Sequence, residues 1–172
     1  MSSNLVAALQ PPVNKRFQMS LDTRVSIAEA EQLVKEAFLR NGVKEAVAES
    51  VSNALVAAEA EGQVGHGFSR VKDYLAQVKS KKINVDAKIK VESPKPTSIS
   101  IDADYGFAYP ALDQAISEGA LTAKEYGSAI VSIFNSHHCG ALSVQVEKIA
   151  KQGLIGLMMA NTPKAIAPWG GK

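Results

Sequence analysis

The sequence predicts an α/β protein of the α+β kind, in which an N-terminal helical subdomain precedes a mixed sheet with helices. Three successive segments before Ser80 carry apolar residues at the spacing of an amphipathic helix. After Ser80, short runs typical of strands alternate with longer helical patterns, which is the order that builds an α/β layer. Apolar residues make up 46% and charged residues 21% of the chain, which is typical of a globular protein with a sizeable core.

Composition also limits the classes of partner and the location. The net charge is +2 and the lysines are dispersed along the 172 residues, which argues against a nucleic-acid partner. The single cysteine, Cys139, rules out an internal disulfide and favours a reducing compartment. The apolar run Leu5–Leu9 is too short for a signal peptide, and no window has the length of a bilayer span. We therefore expect a soluble cytoplasmic protein with no membrane partner.

The chain divides into an arm and two folded parts. Residues 1–23 contain two adjacent prolines and no apolar period, so we expect a flexible arm. Residues 24–82 are expected to form the helical subdomain, and residues 83–172 the beginning of an α/β domain. The last predicted strand is followed by Asn161-Thr162-Pro163 and the chain stops in a turn, which predicts that this second domain is incomplete.

Three helices joined by short links are expected in the helical subdomain. Ser26 and Glu29 form a capping box at the start of the first helix, and Asn41-Gly42 closes it. The second helix runs from about Lys44 to near Gly62. The apolar stripes expected to form the core are, in order, Ile27, Ala30, Val34 and Phe38, then Val47, Val51, Leu55 and Ala58, then Phe68, Val71, Leu75 and Val78.

The second part is expected to contain a mixed sheet. Alternating residues around Ile89/Val91 and Ile99/Ile101 predict two strands joined by a turn at Ser93-Pro94-Lys95-Pro96. The elements expected after them are a helix from about Pro110 to Tyr126, a buried strand at Ala129–Phe134, a helix at Ala141–Gln152 and a second buried strand at Leu154–Ala160.

A histidine-bearing turn follows the second helix. His66 stands between Gly65 and Gly67, and Arg70 comes four residues later. If a helix resumes near Gly67, His66 lies at its N-cap and Arg70 one turn in, so both side chains could reach one small pocket. An imidazole beside a guanidinium suits proton transfer with a small carboxylate-bearing substrate. The alternative is an ordinary turn followed by a solvated arginine.

A second polar cluster, Asn135–Gly140, lies between a predicted strand end and a helix start. Ligands usually bind at this position in open α/β sheets. The helix N-terminus behind the cluster favours a negative group. We therefore expect the turns around His66 and His138 to converge on one site.

Metal binding, cysteine chemistry and nucleotide binding are alternative functions for these residues. Because His137, His138 and Cys139 are consecutive, they cannot all turn to one ion without severe distortion, and we expect no metal site. A nucleophilic Cys139 with a histidine base stays an alternative, although lone cysteines at helix starts are more often packed than reactive. The chain has no G-x-G-x-x-G after a strand and no Walker loop, so spacing alone reveals no cofactor.

Four segments in order resemble the type 2 malate/L-lactate dehydrogenase family, which includes ureidoglycolate, sulfolactate and cyclic-imine reductase members. They are Ala60–Arg70, Asp104–Phe107, Asn135–Gly140 and the stretch from Asn161 to Gly171. The family pattern similar to them is G-H-x-S-H-G-x-x-R, then D-x-x-x-G-F-G, then N-S-x-H-F-G, then T-N-S and P-x-G-G. The resemblance covers the chain from about Ser26 to its end.

This resemblance implies hydride transfer between NAD or NADP and a small 2-hydroxy or 2-oxo acid, or a cyclic imino acid. It implies that His66 is the acid/base and that Arg70 pairs with the substrate carboxylate. His138 would lie beside both substrate and nicotinamide, and Gly140 and Asn161 would belong to the cofactor region. The family's cofactor-binding fold is its own, not a Rossmann unit, and its members assemble as dimers, so we expect a homodimer with a cofactor-binding second domain.

The chain departs from the family pattern at two positions and in its length. Gly65 stands where the family often has serine, and Gln63 replaces the usual histidine, so a substrate contact through the serine hydroxyl is not expected. The chain also stops before the family's G-T-N-P loop. We expect a half-length fragment that is inactive alone. The alternatives are a non-catalytic binding or oligomerising module and a metal- or cysteine-dependent hydrolase.

Overall fold

The computed structural model describes residues 24–161. Within this range it contains the helices α1 (Ile27–Leu39), α2 (Glu45–Ala60), α3 (Ser69–Lys79), α4 (Ala108–Tyr126) and α5 (Leu142–Ala150), a 3-10 turn (Val64–His66), and the strands β1 (Lys90–Lys95), β2 (Ser98–Asp102) and β3 (Ile130–Phe134). None of these helices combines the length and the apolar character needed to cross a bilayer. The predicted arm, residues 1–23, lies outside the described residues.

The first helix begins and packs as the sequence predicts. The Glu29 amide donates to Ser26 Oγ at 3.2 Å, and the Ser26 amide donates to Glu29 Oε2 at 2.9 Å, so the capping box is confirmed. Ala30, Val34 and Phe38 are buried against α2, whereas Ile27 is exposed and does not belong to the core.

The second helix confirms its predicted stripe, but the third differs. Val51, Leu55 and Ala58 of α2 are buried. In α3 the buried residue is Tyr74, which the predicted stripe does not contain. Phe68 was expected in that stripe, but α3 begins only at Ser69 and the Phe68 side chain is left exposed.

The sheet is mixed, as predicted, with the strand order β1-β2-β3. β1 pairs with β2 antiparallel, and β2 pairs with β3 parallel, with Ile99 opposite Val131. α4 makes the connection between the two parallel strands and ends at Gly127, whose φ of +87° is the left-handed conformation typical of a glycine C-cap. Ala111 and Ala115 of α4 pack on Ile99 and Ile101, so α4 covers one face of the sheet.

One apolar core joins the helices to the start of α4. Phe38, Leu55 and Tyr74 belong to the same buried cluster as Phe107 and Tyr109. Rings from three parts of the chain meet there edge to face, because Phe107 contacts both Phe38 and Tyr74. The core therefore spans the predicted boundary between residues 82 and 83, and the division into two domains stays a prediction.

Two details of the predicted hairpin and of β3 are wrong. β1 continues through Ser93-Pro94-Lys95, and the turn lies at residues 96–97 instead. β1 is exposed along its whole length and is an edge strand, so Pro94 meets no strand on its outer side in the described part of the chain. β3 was expected to be buried, but Ile130 and Phe134 are exposed because α4 covers only the opposite face.

The predicted second buried strand at Leu154–Ala160 is also wrong. This segment has no regular secondary structure and joins no strand among residues 24–161. Its residues alternate in exposure: Met158 packs against the core, whereas Ile155, Leu157 and Met159 are more than 80% exposed. An apolar alternating run therefore predicts which side chains point inward, but a strand also requires a neighbouring edge to pair with.

Candidate functional site

The His66 turn is built by side chains that satisfy its backbone. After α2 the chain reverses at Gly62, whose φ is +78°, and enters the 3-10 turn that ends at His66. The Ser69 hydroxyl donates to the Val64 carbonyl at 2.6 Å, and the Phe68 amide donates to Glu59 Oε2 at 2.8 Å. His66 was predicted to be the N-cap of α3, but the N-cap is Phe68, two residues later.

The two glycines beside His66 are not equivalent. A Cβ on Gly67 would overlap the side chain of Glu59, so the turn packs there only because Gly67 has no side chain. A Cβ on Gly65 would meet nothing within 4 Å. Gly65 therefore leaves open space next to the imidazole, at the position where the family pattern often carries serine.

The second histidine lies in the loop that follows β3. Asn135 has a left-handed φ of +51°, and its side-chain amide donates to Asp102 Oδ1 at 3.1 Å. The Tyr105 amide donates to the Asn135 carbonyl at 2.6 Å, and the His137 amide donates to the Gly106 carbonyl at 3.3 Å. Hydrogen bonds thus join the loops at the carboxyl ends of β2 and β3, and they fix the position of the backbone that carries His138.

The two histidine turns meet, as the sequence predicts. The ring centroids of His66 and His138 are 5.5 Å apart, and the ring planes differ by 16°, so the imidazoles are stacked. His66 is half-buried, and His138 is more exposed. Two residues 72 positions apart in the chain therefore share one patch that solvent and small solutes can reach.

Arg70 lies in the first turn of α3, next to this stack. Its Nε donates to the Gly65 carbonyl at 2.6 Å, and its Nη1 lies 3.7 Å from Asp73 Oδ2. The Nε edge is therefore used to hold the His66 turn, and the contact with Asp73 is loose. The two Nη groups are the part of the guanidinium that remains available for a carboxylate.

A pair of tyrosines behind His138 was missed at the level of sequence. The Tyr74 hydroxyl lies 2.8 Å from His138 Nδ1 and 3.0 Å from the Tyr109 hydroxyl. Both tyrosines are almost fully buried. One signal could have indicated them, because Tyr74 follows Val71 by three residues on the inner face of α3 and a buried tyrosine hydroxyl needs a partner.

Burial and nearby positive charge favour the uncharged form of His138, and burial favours the protonated, uncharged form of both tyrosines. Burial lowers the pKa of His138, and the charges of Arg70 and His66 lower it further. Burial likewise raises the pKa of Tyr74 and raises that of Tyr109 well above its ordinary range, so both hydroxyls keep their protons near neutral pH. His138 is therefore disposed to be an uncharged imidazole beside a guanidinium.

Cys139 does not have the surroundings of an activated nucleophile. The side chain packs against the core, and burial raises the pKa of the thiol. A reactive cysteine instead requires a lowered pKa in an electropositive, accessible place. Between Arg24 and Asn161, no three histidine, cysteine or acidic side chains come together in a way that would hold a metal ion.

The remaining predicted site residues lie at different depths. Gly140 is buried with a φ of +70°, and a Cβ there would come within 2.5 Å of the Tyr109 hydroxyl, so this glycine is required by packing. Asn161 is exposed and is the last described residue. The roles predicted for both in cofactor binding, and for His66, Arg70 and His138 in catalysis, stay predictions.

Comparison with known proteins identifies the family. The sequence profile described as malate/L-lactate dehydrogenase matches residues 25–172. The chain belongs to this family.

Individual relatives in this family act on several small acids. The chain is 40% identical over 148 residues to (2R)-3-sulfolactate dehydrogenase (NADP(+)) of Chromohalobacter salexigens, covering 86% of this chain and 44% of that protein. It is 30% identical over 148 residues to ureidoglycolate dehydrogenase (NAD(+)) of Escherichia coli O157:H7, covering 86% and 42%. The crystal structure of delta1-piperideine-2-carboxylate reductase from Pseudomonas syringae superposes with a TM-score of 0.74 at 32% identity, covering 77% and 40%.

The predicted fold, helices combined with a small mixed sheet, is confirmed by this structural likeness to members of the family. The chain spans less than half the length of the relatives that it matches.

Proposed function

We propose that this chain carries the proton-transfer and carboxylate-binding groups of an oxidoreductase dependent on NAD or NADP. The substrate would be a small 2-hydroxy or 2-oxo acid, or a cyclic imino acid. The observation that carries the proposal is the stack of His66 on His138, with the guanidinium of Arg70 beside it. Membership of the malate/L-lactate dehydrogenase family supports it.

His66 would exchange the proton with the substrate oxygen or imine nitrogen. An imidazole titrates in the range where it can both give and take a proton near neutral pH. The turn that carries His66 is fixed by the bonds from Ser69 and Phe68, so the ring is held in place without its nitrogens being occupied by a partner within residues 24–161. This is the arrangement that a general acid/base requires.

Arg70 and His138 would orient the substrate. The Nη groups of Arg70 would pair with the carboxylate, and the neutral ring of His138 would donate to the reacting oxygen of a hydroxy or oxo acid. Because burial and Arg70 lower the pKa of His138, a substrate anion would meet one full positive charge, from Arg70, rather than two. The orientation would come from hydrogen bonds more than from bulk charge.

The residues present fit a nicotinamide cofactor. The first turn of α5, which has no side-chain cap, offers N–H donors of the kind that bind phosphate oxygens. His138, the backbone at Gly140 and the side chain of Asn161 would hold the cofactor. When bound, it would supply or accept the hydride.

A second candidate is a non-catalytic module that binds or oligomerises. It is favoured by the exposed apolar side chains of β3 and residues 154–160. The two candidates differ in cofactor binding. Quenching of the single tryptophan, Trp169, by NADH or NADPH is expected for the oxidoreductase, and its absence at saturating concentrations favours the module.

Turnover is tested by following the absorbance of NADH or NADPH with pyruvate, 3-sulfopyruvate or Δ1-piperideine-2-carboxylate as oxidant. We expect the protein to turn over at least one of them. Absence of turnover with all three, by a folded protein that binds NADH or NADPH, would contradict the proposal.

The carboxylate site is tested separately, by titrating the isolated chain with oxamate and following the histidine ring signals by NMR. We expect saturable shifts at His66 and His138 that weaken at least tenfold in Arg70→Lys, because lysine cannot form the bidentate contact. Arg40→Lys is the matched control, since Arg40 pairs with Glu36 on the outer surface of α1. Equal oxamate affinity in both variants would contradict the role of Arg70.

A homodimer and a cytoplasmic location complete the proposal. Exposed Ile130, Ile155 and Leu157 form apolar surface that a second subunit could cover, and the single cysteine suits a reducing compartment. The first domain, residues 24–82, would then supply the acid/base, and the second, residues 83–172, the cofactor contacts. Light scattering of the purified protein tests the dimer, which a monomeric mass at all concentrations would exclude.

A further inference from the structure

Three ring groups form a hydrogen-bonded line that runs from the core to the candidate site. Tyr109 lies at the buried end, Tyr74 in the middle and His138 at the exposed end. The distances are 3.0 Å between the two hydroxyl oxygens and 2.8 Å between the Tyr74 hydroxyl and His138 Nδ1. Each tyrosine has one proton to donate, so the direction of the line follows from where those protons can go.

The buried end decides the direction. Within residues 24–161, the Tyr109 hydroxyl has a single hydrogen-bond partner, Tyr74. If Tyr109 donates to Tyr74, then Tyr74 donates to His138 Nδ1 and both protons are bonded. If the line is reversed, His138 Nδ1–H donates to Tyr74, Tyr74 donates to Tyr109, and the Tyr109 proton is left buried without an acceptor.

The reversed direction is therefore disfavoured. A buried donor without a partner costs enough to make the first arrangement roughly 10- to 100-fold more populated. The first arrangement places no proton on Nδ1, so the neutral ring carries its proton on Nε2. The imidazolium form is disfavoured for the same reason, because it too would need Tyr74 to accept from Nδ1.

The charges that face His138 act in the same sense. Arg70 lies on the α3 side and His66 stacks on the ring, and both lower the pKa of His138, as burial does. Tyr74 and Tyr109 keep their protons because burial raises the pKa of each. The line of hydroxyls therefore has protonated members at both positions and a neutral imidazole at its end.

We propose that Tyr74 is a positioning residue that fixes His138 as the neutral Nε2–H tautomer, so that the ring offers a hydrogen-bond donor and not an acceptor to the candidate site. The tautomer follows from the hydrogen-bond geometry alone. Its use in orienting the reacting oxygen of a substrate rests on the proposed function. Tyr109 donates to Tyr74 from behind and leaves the Tyr74 proton for His138 Nδ1.

The tautomer is read directly from the 15N shifts of the two His138 nitrogens in the full chain at neutral pH. We expect a pyridine-like Nδ1 and a pyrrole-like Nε2. The variant Tyr74→Phe keeps the buried ring but removes the donor, so we expect the two nitrogens to move towards averaged shifts and the pKa of His138 to rise. Tyr109→Phe is the matched control, because Tyr74 can still donate to Nδ1, and the wild-type tautomer should persist.

Two results would overturn the proposal. One is a pyrrole-like Nδ1 in the wild-type chain, which needs no variant and is independent of whether either variant folds. The other is a folded Tyr74→Phe variant with unchanged nitrogen shifts.

The catalytic consequence is measured apart from the tautomer. In the active protein we expect Tyr74→Phe to lower kcat by about tenfold with little change in KM, because a misdirected donor weakens orientation at the reacting atom. If the tautomer changes as expected but kcat does not, the role of His138 in the proposed function fails while the assignment of the tautomer holds.

Discussion

The two stacked histidines of the candidate site are held in place by different contacts. His66 lies on a turn whose backbone is fixed by Glu59, Ser69 and Gly67, but its ring nitrogens have no hydrogen-bond partner within the described residues. His138 lies on a loop tied to the end of β2, and its ring is itself bonded to a buried hydroxyl. The nitrogens of His66 are therefore available for proton exchange, whereas one nitrogen of His138 is already occupied by the hydrogen bond to Tyr74. A pair of stacked imidazoles therefore need not be two equivalent bases.

The largest expected effect tests His66, the ring whose nitrogens have no hydrogen-bond partner among residues 24–161. In the catalytically active protein, His66→Gln should lower kcat by about 100- to 10,000-fold, the range for losing a general acid/base. Affinity for NADH or NADPH should change little. His137→Gln is the control, because the His137 side chain takes no part in the stack, and it should retain activity near wild type. A loss of less than tenfold in His66→Gln would mean that His138 can replace His66 as the acid/base.

The next effect concerns the packing behind His138. Gly140→Ala should lower the free energy of unfolding by about 2 to 4 kcal/mol, since the new methyl group would meet the Tyr109 hydroxyl in a left-handed backbone. Gly127→Ala is the matched control: its φ is also left-handed, but a Cβ there meets nothing within 4 Å, so about 1 to 2 kcal/mol is expected. Urea unfolding measures both. Equal losses would mean that Tyr109 yields to the methyl group.

A similar pair of glycines tests the other turn. Gly67→Ala should destabilise by about 1 to 3 kcal/mol, because the methyl group would displace the Glu59 carboxylate from the start of α3. Gly65→Ala should be neutral or slightly stabilising, because the space around it is open. If both variants lost the same stability, the Glu59 contact would not hold the His66 turn.

The smallest effect is a dependence of stability on pH. The pKa of His138 is lower in the folded chain than its ordinary value of about 6.5. As pH falls below about 6.5, His138 becomes protonated in the unfolded chain but not yet in the folded chain. The free energy of unfolding therefore decreases until the pH reaches the pKa of His138 in the folded chain. Urea midpoints at pH 7 and pH 5.5 should therefore differ more in the wild type than in His138→Gln. An equal pH dependence would assign the effect to other groups.

The elements of this fold could be predicted largely because their signals are local. The Ser26–Glu29 capping box and Gly127 after α4 mark helix ends through bonds within a few residues. Residues 154–160 show where local signals stop being sufficient. Their alternation correctly separates inward from outward side chains, but whether such a run becomes a strand depends on a partner elsewhere in the chain.

The candidate site shows the same division. Glycines around His66 and a polar run around His138 mark both turns in the sequence, and their meeting follows from the position of loops at strand and helix ends. Tyr74 and Tyr109 carry no such mark. Each looks like one more apolar residue on an inner helix face, and their hydroxyls find their hydrogen-bond partners only when α3, α4 and the loop after β3 pack together.

The line of hydroxyls behind His138 ends blindly at Tyr109. Neither phenol ionises near neutral pH, and no described group beyond Tyr109 could pass a proton onward. The line is consequently a fixed dipole and not a proton wire. Every proton consumed or released during a turnover would have to pass between His66 and solvent on the exposed side of the site. Solvent access to His66, and not conduction through the protein interior, would then set how quickly the acid/base returns to its starting protonation state.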